Sequence, residues 1–169
     1  MRPDKIYLDT CLLIRWFLWR FDQKKYGREP RIIRFLSETK KYVKSYISIV
    51  SVAELVKILK YDDEFKKFEI KTSRIIELID ELQQIIGFDI IRNIVVNNTK
   101  VEGVIISKDI IKYVQLHPHL SDCIHVDIAK RYELCFLTIE SRTGKLKQLY
   151  ADIMTEKKFF KQKFNGLPS

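Results

Sequence analysis

Short apolar runs alternate with longer stretches of helical spacing along most of this chain. Ile6-Tyr7-Leu8 is a run of strand formers that ends at Asp9, as suits a central strand of a parallel sheet covered on both faces. Leu12 to Phe21 then reads as a helix. At about 100° per residue, Ile14, Phe17, Leu18 and Phe21 form one stripe, and Leu12, Trp16 and Trp19 fall nearly opposite. A helix apolar on two sides is either buried on both or gives one side to a partner. The two tryptophans suit a protein interface and burial within the monomer equally well.

Asp22 to Glu29 is polar, contains Gly27 and reads as a loop. Pro30 opens a second helix to about Lys41, with Ile32, Phe35 and Leu36 inward. Tyr46 to Ile49 is the next strand, and Val50 to Tyr61 a helix whose core stripe is Val52, Leu55, Val56 and Leu59. Glu54 lies about 200° from Val52 on that wheel, off the stripe. After a charged connection from Asp62 to Lys71, Thr72 or Ser73 is expected to cap a helix carrying Ile75, Leu78, Ile79, Leu82, Ile85 and Ile86. Gly87 stops it.

Phe88 to Val96 holds one or two short strands, and Asn98 to Leu116 a helix interrupted by Gly103. Beyond His117-Pro118-His119, Ser121 is the expected cap of a helix through Ala129. Cys135 to Thr138 is a buried strand, Ser141 to Gly144 turn into a short helix through Tyr150, and Asp152 to Met154 adds a last strand. The expected fold is therefore three-layer α/β/α, with a mostly parallel central sheet of four to five strands. It occupies residues 1–155, and residues 156–169 form a basic aromatic tail or terminal helix. There Lys157, Lys158, Lys161 and Lys163 interleave with Phe159, Phe160 and Phe164. Such a segment either grips RNA by charge and stacking or docks its phenylalanines as an amphipathic helix.

With 169 residues, 46% hydrophobic and 31% charged, the chain has the size and composition of one soluble globular domain. No run approaches the ~18 apolar residues of a membrane span, and the N-terminus shows no signal peptide. Cys11, Cys123 and Cys135 lack paired zinc spacing and read as reduced thiols in a cytoplasmic protein. The net charge of +9 favours a polyanionic partner such as nucleic acid.

Acids stand where apolar segments meet helices. Asp9 follows the first strand, where it serves either as a helix N-cap or as a functional group. Asp122 opens a helix, Glu140 follows the strand Cys135 to Thr138, and Glu54 lies off the core stripe after the second strand. Right-handed parallel connections bring such strand ends to one edge of the sheet. Carboxylates converging there would repel one another unless a cation intervened. Oxygen ligands select a hard ion, Mg²⁺ or Mn²⁺, over zinc.

Leu8-Asp9-Thr10, Ser51-Val52-Ala53-Glu54-Leu55, Asp122-Cys123-Ile124-His125-Val126-Asp127-Ile128-Ala129 and Leu137-Thr138-Ile139-Glu140 resemble, in order, the four acidic motifs of the PIN-domain nucleases. The likeness spans about residues 4 to 155, and the nearest subtype is the VapC-type toxins of toxin–antitoxin pairs. The resemblance implies a PIN-like fold and a metal-dependent endoribonuclease that leaves 5′-phosphate and 3′-hydroxyl ends. It makes Asp9, Glu54, Asp122 and Glu140 the catalytic, metal-holding acids, with Thr10 as a supporting hydroxyl. Glu140 stands where the family commonly has aspartate, one methylene shorter, a difference that bears on metal geometry. Asp127 lies about 140° round the helix from Asp122 and reads as a surface acid.

Arg15, Arg20 and Arg142 are candidate RNA phosphate contacts. The expected partners are RNA, an antitoxin protein and a second copy of the chain in a homodimer, with no membrane. A non-catalytic RNA- or protein-binding module on the same scaffold, or a PIN nuclease of RNA processing, are the alternatives. A phosphatase of the haloacid-dehalogenase kind also begins with an aspartate after its first strand, but needs a second two residues on, where this chain has Cys11. His117 and His119 flank a proline without nearby thiols and read as loop residues, and His125 as a packing or hydrogen-bonding residue.

Overall fold

A computed structural model describes residues 3–92, 119–139 and 146–162. The chain runs β1 (Lys5–Leu8), α1 (Thr10–Phe21), α2 (Gln23–Tyr26), α3 (Arg31–Thr39), β2 (Lys44–Ser48), α4 (Ile49–Tyr61), α5 (Asp63–Lys66), α6 (Thr72–Ile86), β3 (Asp89–Ile91), α7 (Leu120–Arg131), β4 (Cys135–Thr138), β5 (Ile153–Thr155) and α8 (Glu156–Lys161). The helix expected from Asn98 to Leu116 lies outside the described residues. The strands form one sheet of five in the order β3-β2-β1-β4-β5, and every pairing is parallel. The architecture is α/β with helices on both faces, as expected from the alternating pattern.

The pleat of the central strands separates two cores. Ile6 and Leu8 of β1 and Cys135 and Leu137 of β4 enter the first, with Leu12, Leu13, Ile32, Leu55, Ile75 and Phe159 among their neighbours. Tyr7 and Phe136 point the other way, into a second core built on Cys123, Val126, Ile128 and Ala129 of α7. Each such side chain, once fully buried, contributes about 1.5–3 kcal/mol. That is why β1 and β4 read as unbroken apolar runs.

Local details depart from expectation in instructive ways. The loop after α1 and the charged connection after α4 each contain a short helix, α2 and α5, capped by the side chains of Asp22 and Asp62. Helix α6 starts at Thr72, with Lys71 in the cap position and no side-chain cap bond. Gly87 ends it in the left-handed region at φ 69°, as expected. Helix α7 begins two residues earlier than expected, with His119 rather than Ser121 at its cap. Ser121 is drawn to another partner, Glu54.

Asp127 is a correction: it is buried, and its carboxylate accepts from Arg131 at 2.8 Å. The helical wheel rightly separated it from Asp122. However, Cys123 through Ala129 are all buried, so α7 has little solvent face to offer an acid. Helix α1 follows the burial alternative. Trp16 is inside the monomer, and Trp19 packs against the first core while its indole N–H donates to the Gly27 carbonyl at 3.1 Å. Among the described residues, no helix is long and apolar enough to cross a membrane.

Candidate active site

The strand order turns at β1, with β2 and β3 on one side and β4 and β5 on the other. In open α/β sheets such a reversal leaves a crevice outside the carboxyl ends of the strands. Asp9 stands at that point. Its backbone N–H donates to Leu137 of β4 at 2.9 Å, which joins the ends of the two strands. The residue is 8% exposed. Oδ1 accepts from the Cys11 backbone N–H at 3.3 Å, making Asp9 the N-cap of α1. Oδ2 accepts from the Thr138 hydroxyl at the end of β4. Cap and site are thus the same residue, fixed at both oxygens.

Thr10 is buried and donates to Oε2 of Glu54 at 2.6 Å. Glu54 reaches the edge from α4, whose start is set by a reciprocal capping box between Ser48 and Ser51. The first turn and the core residues Leu55 and Leu59 orient this helix, leaving Glu54 half-buried at the crevice, with 24% of its side chain exposed.

Behind Glu54 lies a buried polar chain. His125 of α7 is 1% exposed. Its Nε2 sits 2.8 Å from Glu54 Oε2, and its Nδ1 sits 2.7 Å from the Tyr7 hydroxyl. Tyr7 in turn donates to Ser48 Oγ at 2.7 Å. The Glu54 carboxylate only accepts, so Nε2 carries the proton of that bond, and a second proton on Nδ1 would make the imidazole a donor to both partners. Burial alone would suppress the resulting charge. The Tyr7 oxygen, the hydrogen bond and charge of Glu54, and Asp9 outweigh it and raise the histidine to about 10. Burial likewise works against the Glu54 carboxylate, but His125, Thr10 and Ser121 together hold it below its ordinary value.

Asp122 lies in the first turn of α7, where the N-terminal dipole favours an acid. It is half-buried, next to Ser121, which bonds Glu54, and one turn before His125. Thus β1, α4 and α7 bring Asp9 and Thr10, Glu54, and His125 together, with Asp122 one residue from Ser121 on α7. Glu140 and Arg142 lie outside the described residues. Arg15 and Arg20 do not face the carboxylates: Arg15 pairs with Glu156 at 2.6 Å and Arg20 with Glu81 at 3.2 Å.

Among the described residues, no group of three or more His, Cys, Asp or Glu is placed to hold a metal ion. The donor type still suits a hard cation. Mg²⁺ is commonly held by one or two carboxylates, completing its shell with water and substrate phosphate rather than an all-protein cage. Asp9 and Glu54, linked through Thr10, are carboxylates of that type. The thiols do not compete for it: burial pushes Cys123 up to about 11 and Cys135 to about 12, and also raises Cys11.

Sequence reasoning did not assign roles to Tyr7, Ser48, Ser51 and Thr138. The serine spacing of a capping box and a hydroxyl-bearing ring inside an apolar strand were the available signals. The class so defined is a parallel α/β protein with carboxylates at its strand-order reversal, joined to a largely buried Tyr–His–Glu chain. Compared with models of known protein families and with curated proteins, the chain finds no match.

Proposed function

We propose that this protein is a Mg²⁺- or Mn²⁺-dependent endoribonuclease of the PIN type, acting as the toxin of a toxin–antitoxin pair. One observation carries the nuclease reading. Asp9 and Glu54 come from separate elements to the region outside the carboxyl end of β1, where Thr10, next to Asp9, directly bonds Glu54 of α4. The toxin assignment rests on the resemblance of the motifs. A small, acidic-tailed DNA-binding protein encoded immediately upstream would support it.

In this reading Asp9, Asp122 and Glu54 present oxygens to the scissile phosphate region. Thr138 and the start of α1 hold Asp9, while Thr10 and His125 fix the direction of Glu54. A bound divalent ion supplies neutralisation of phosphate charge and a more acidic water. Water adds to phosphorus, the bond to the 3′ oxygen breaks, and that oxygen leaves with a proton as a hydroxyl. Purified protein should cut RNA with Mn²⁺ and stop with EDTA, and Asp9→Asn should lower the rate by about a hundredfold or more. Metal-independent cutting, or an unimpaired Asp9→Asn, would refute the site.

A second reading has its own observation. His125 already supplies Glu54 with a cationic partner, and no three-ligand group stands among the described residues. Both suit a scaffold that binds RNA or protein without cleaving. RNA affinity with no cleavage under any divalent ion would favour it.

A further inference from the structure

Helix α8 and the start of α3 enclose an open groove. One part, of about 360 Å³, is bounded by Arg31, Glu156, Lys157, Phe160 and Lys161. An adjoining part, of about 210 Å³, shares Arg31 and Phe160 and adds Arg34, Phe35 and Glu38. We propose that this groove is a second binding site, for the backbone and one base of a single-stranded RNA passing the acidic crevice. The proposal rests on the nuclease reading for the strand's destination.

Phe160 is a fixed platform. Its ring meets Phe35 edge-on at 5.6 Å and Phe159 at 5.5 Å, and the Arg31 guanidinium lies 4.0 Å from its centroid. A guanidinium resting on a ring offers its outer face to a base and its N–H edge to phosphate. A volume near the lower end of the ~300–1,000 Å³ range of small-molecule sites suits roughly one nucleotide.

The charge is arranged for an outside anion. Elsewhere on the surface some cations are neutralised, with Arg15, Arg20, Lys25, Lys66 and Arg74 each having a carboxylate within 3.2 Å, while others such as Lys44 and Lys57 stand singly among the described residues. In the groove, no ion pair joins Arg31, Arg34, Lys157 or Lys161 to a carboxylate among the described residues, and all four are exposed. Two acids also line it, Glu38 and Glu156, the latter engaged by Arg15, and against four cations the lining remains net cationic.

The same ion pair places the groove. Arg15 lies five residues after Thr10 in α1, about 7.5 Å along the helix. Glu156 follows directly on the carboxyl end of β5. The groove therefore opens beside the edge that carries Asp9. A lysine-rich wall around a stacked guanidinium favours nucleic acid over an acidic protein, which needs no ring.

The test uses the full chain carrying Asp9→Asn, in EDTA, with a fluorescein-labelled single-stranded oligouridylate followed by anisotropy. Arg31→Ala combined with Lys161→Ala should weaken binding about tenfold. It should also reduce the slope of log affinity against log salt by about 0.7 per lost phosphate contact. Arg31→Lys, which keeps charge but loses the flat stack, should fall between, and Arg74→Ala should bind as the parent does. Binding of the double variant within about twofold of the parent, or no RNA binding by the parent, overturns the proposal. So does a labelled oligoglutamate that loses binding in these variants while RNA does not, since the occupant is then an acidic protein. If groove variants lose RNA affinity but the unsubstituted protein cuts no RNA with Mn²⁺, the groove stands and the nuclease reading falls.

Discussion

His125 and Glu54 form the pair on which the crevice rests, and their pH dependence follows from their shifts. His125 is raised from 6.5 to about 10 in the folded protein. Its contribution to stability is fully present below about pH 6.5 and is lost as pH rises through about 10. Glu54 is lowered from 4.5, so its contribution is present above about that pH and lost as pH falls through its folded value. The pair thus stabilises the fold most between about pH 5 and 6.5. His125→Ala leaves a half-buried carboxylate without its cation and should cost about 3 kcal/mol, the low end for a broken buried pair, because 24% of the Glu54 side chain still meets water. Urea unfolding at about pH 6 and about pH 9 checks both claims. The parent should lose more stability than the variant between those two values. An equal loss in both would show that His125 is not charged in the fold.

At the scale of single elements, α4 depends on its first turn. Ser51→Ala removes half of the capping box and a hydroxyl 3.2 Å from Tyr7. A loss of about 1–2 kcal/mol is expected in chemical denaturation, with a fall in the proposed RNA cleavage because α4 aims Glu54. Gly87→Ala places a side chain at φ 69° and 3.5 Å from the Lys40 side chain. It should cost about 1 kcal/mol, mostly from backbone strain.

Elements of this kind were largely legible in advance. Ile6 to Leu8 and the stripe from Ile75 to Ile86 have a spacing that tertiary packing had no reason to override. Gly87 also read correctly, because a left-handed terminus needs it. The helix α7 stripe was misleading at Asp127, since a helix buried on most sides has no polar face to reveal. The carboxylates Asp9, Glu54 and Asp122 stand out in the sequence because each lies off an apolar stripe or at its end. The chain behind them does not, because Tyr7, Ser48 and His125 meet across separations of 41 and 118 residues, and no local pattern encodes such a meeting.

On the scale of the whole molecule, the boundary expected after residue 155 acquires an energetic meaning. A helix as short as Glu156–Lys161 is not stable alone in water, so packing must hold it. Phe159 is fully buried in the first core and meets Phe35 edge-on at 5.5 Å, while Arg15 ties Glu156 to α1. A chain ending at residue 155 should therefore lose about 3–5 kcal/mol, the cost of truncating a buried phenylalanine. Phe159→Ala alone should reproduce most of that loss. Glu156→Gln should change stability by no more than about 1 kcal/mol, because its partner Arg15 is 43% exposed and solvent screens the pair. Thermal unfolding of the three variants separates these terms. Equal stability of the shortened and full chains would mean that Phe159 closes no core. In that event the platform under Phe160 would also lose its support, because the rings of Phe35 and Phe159 hold it in place.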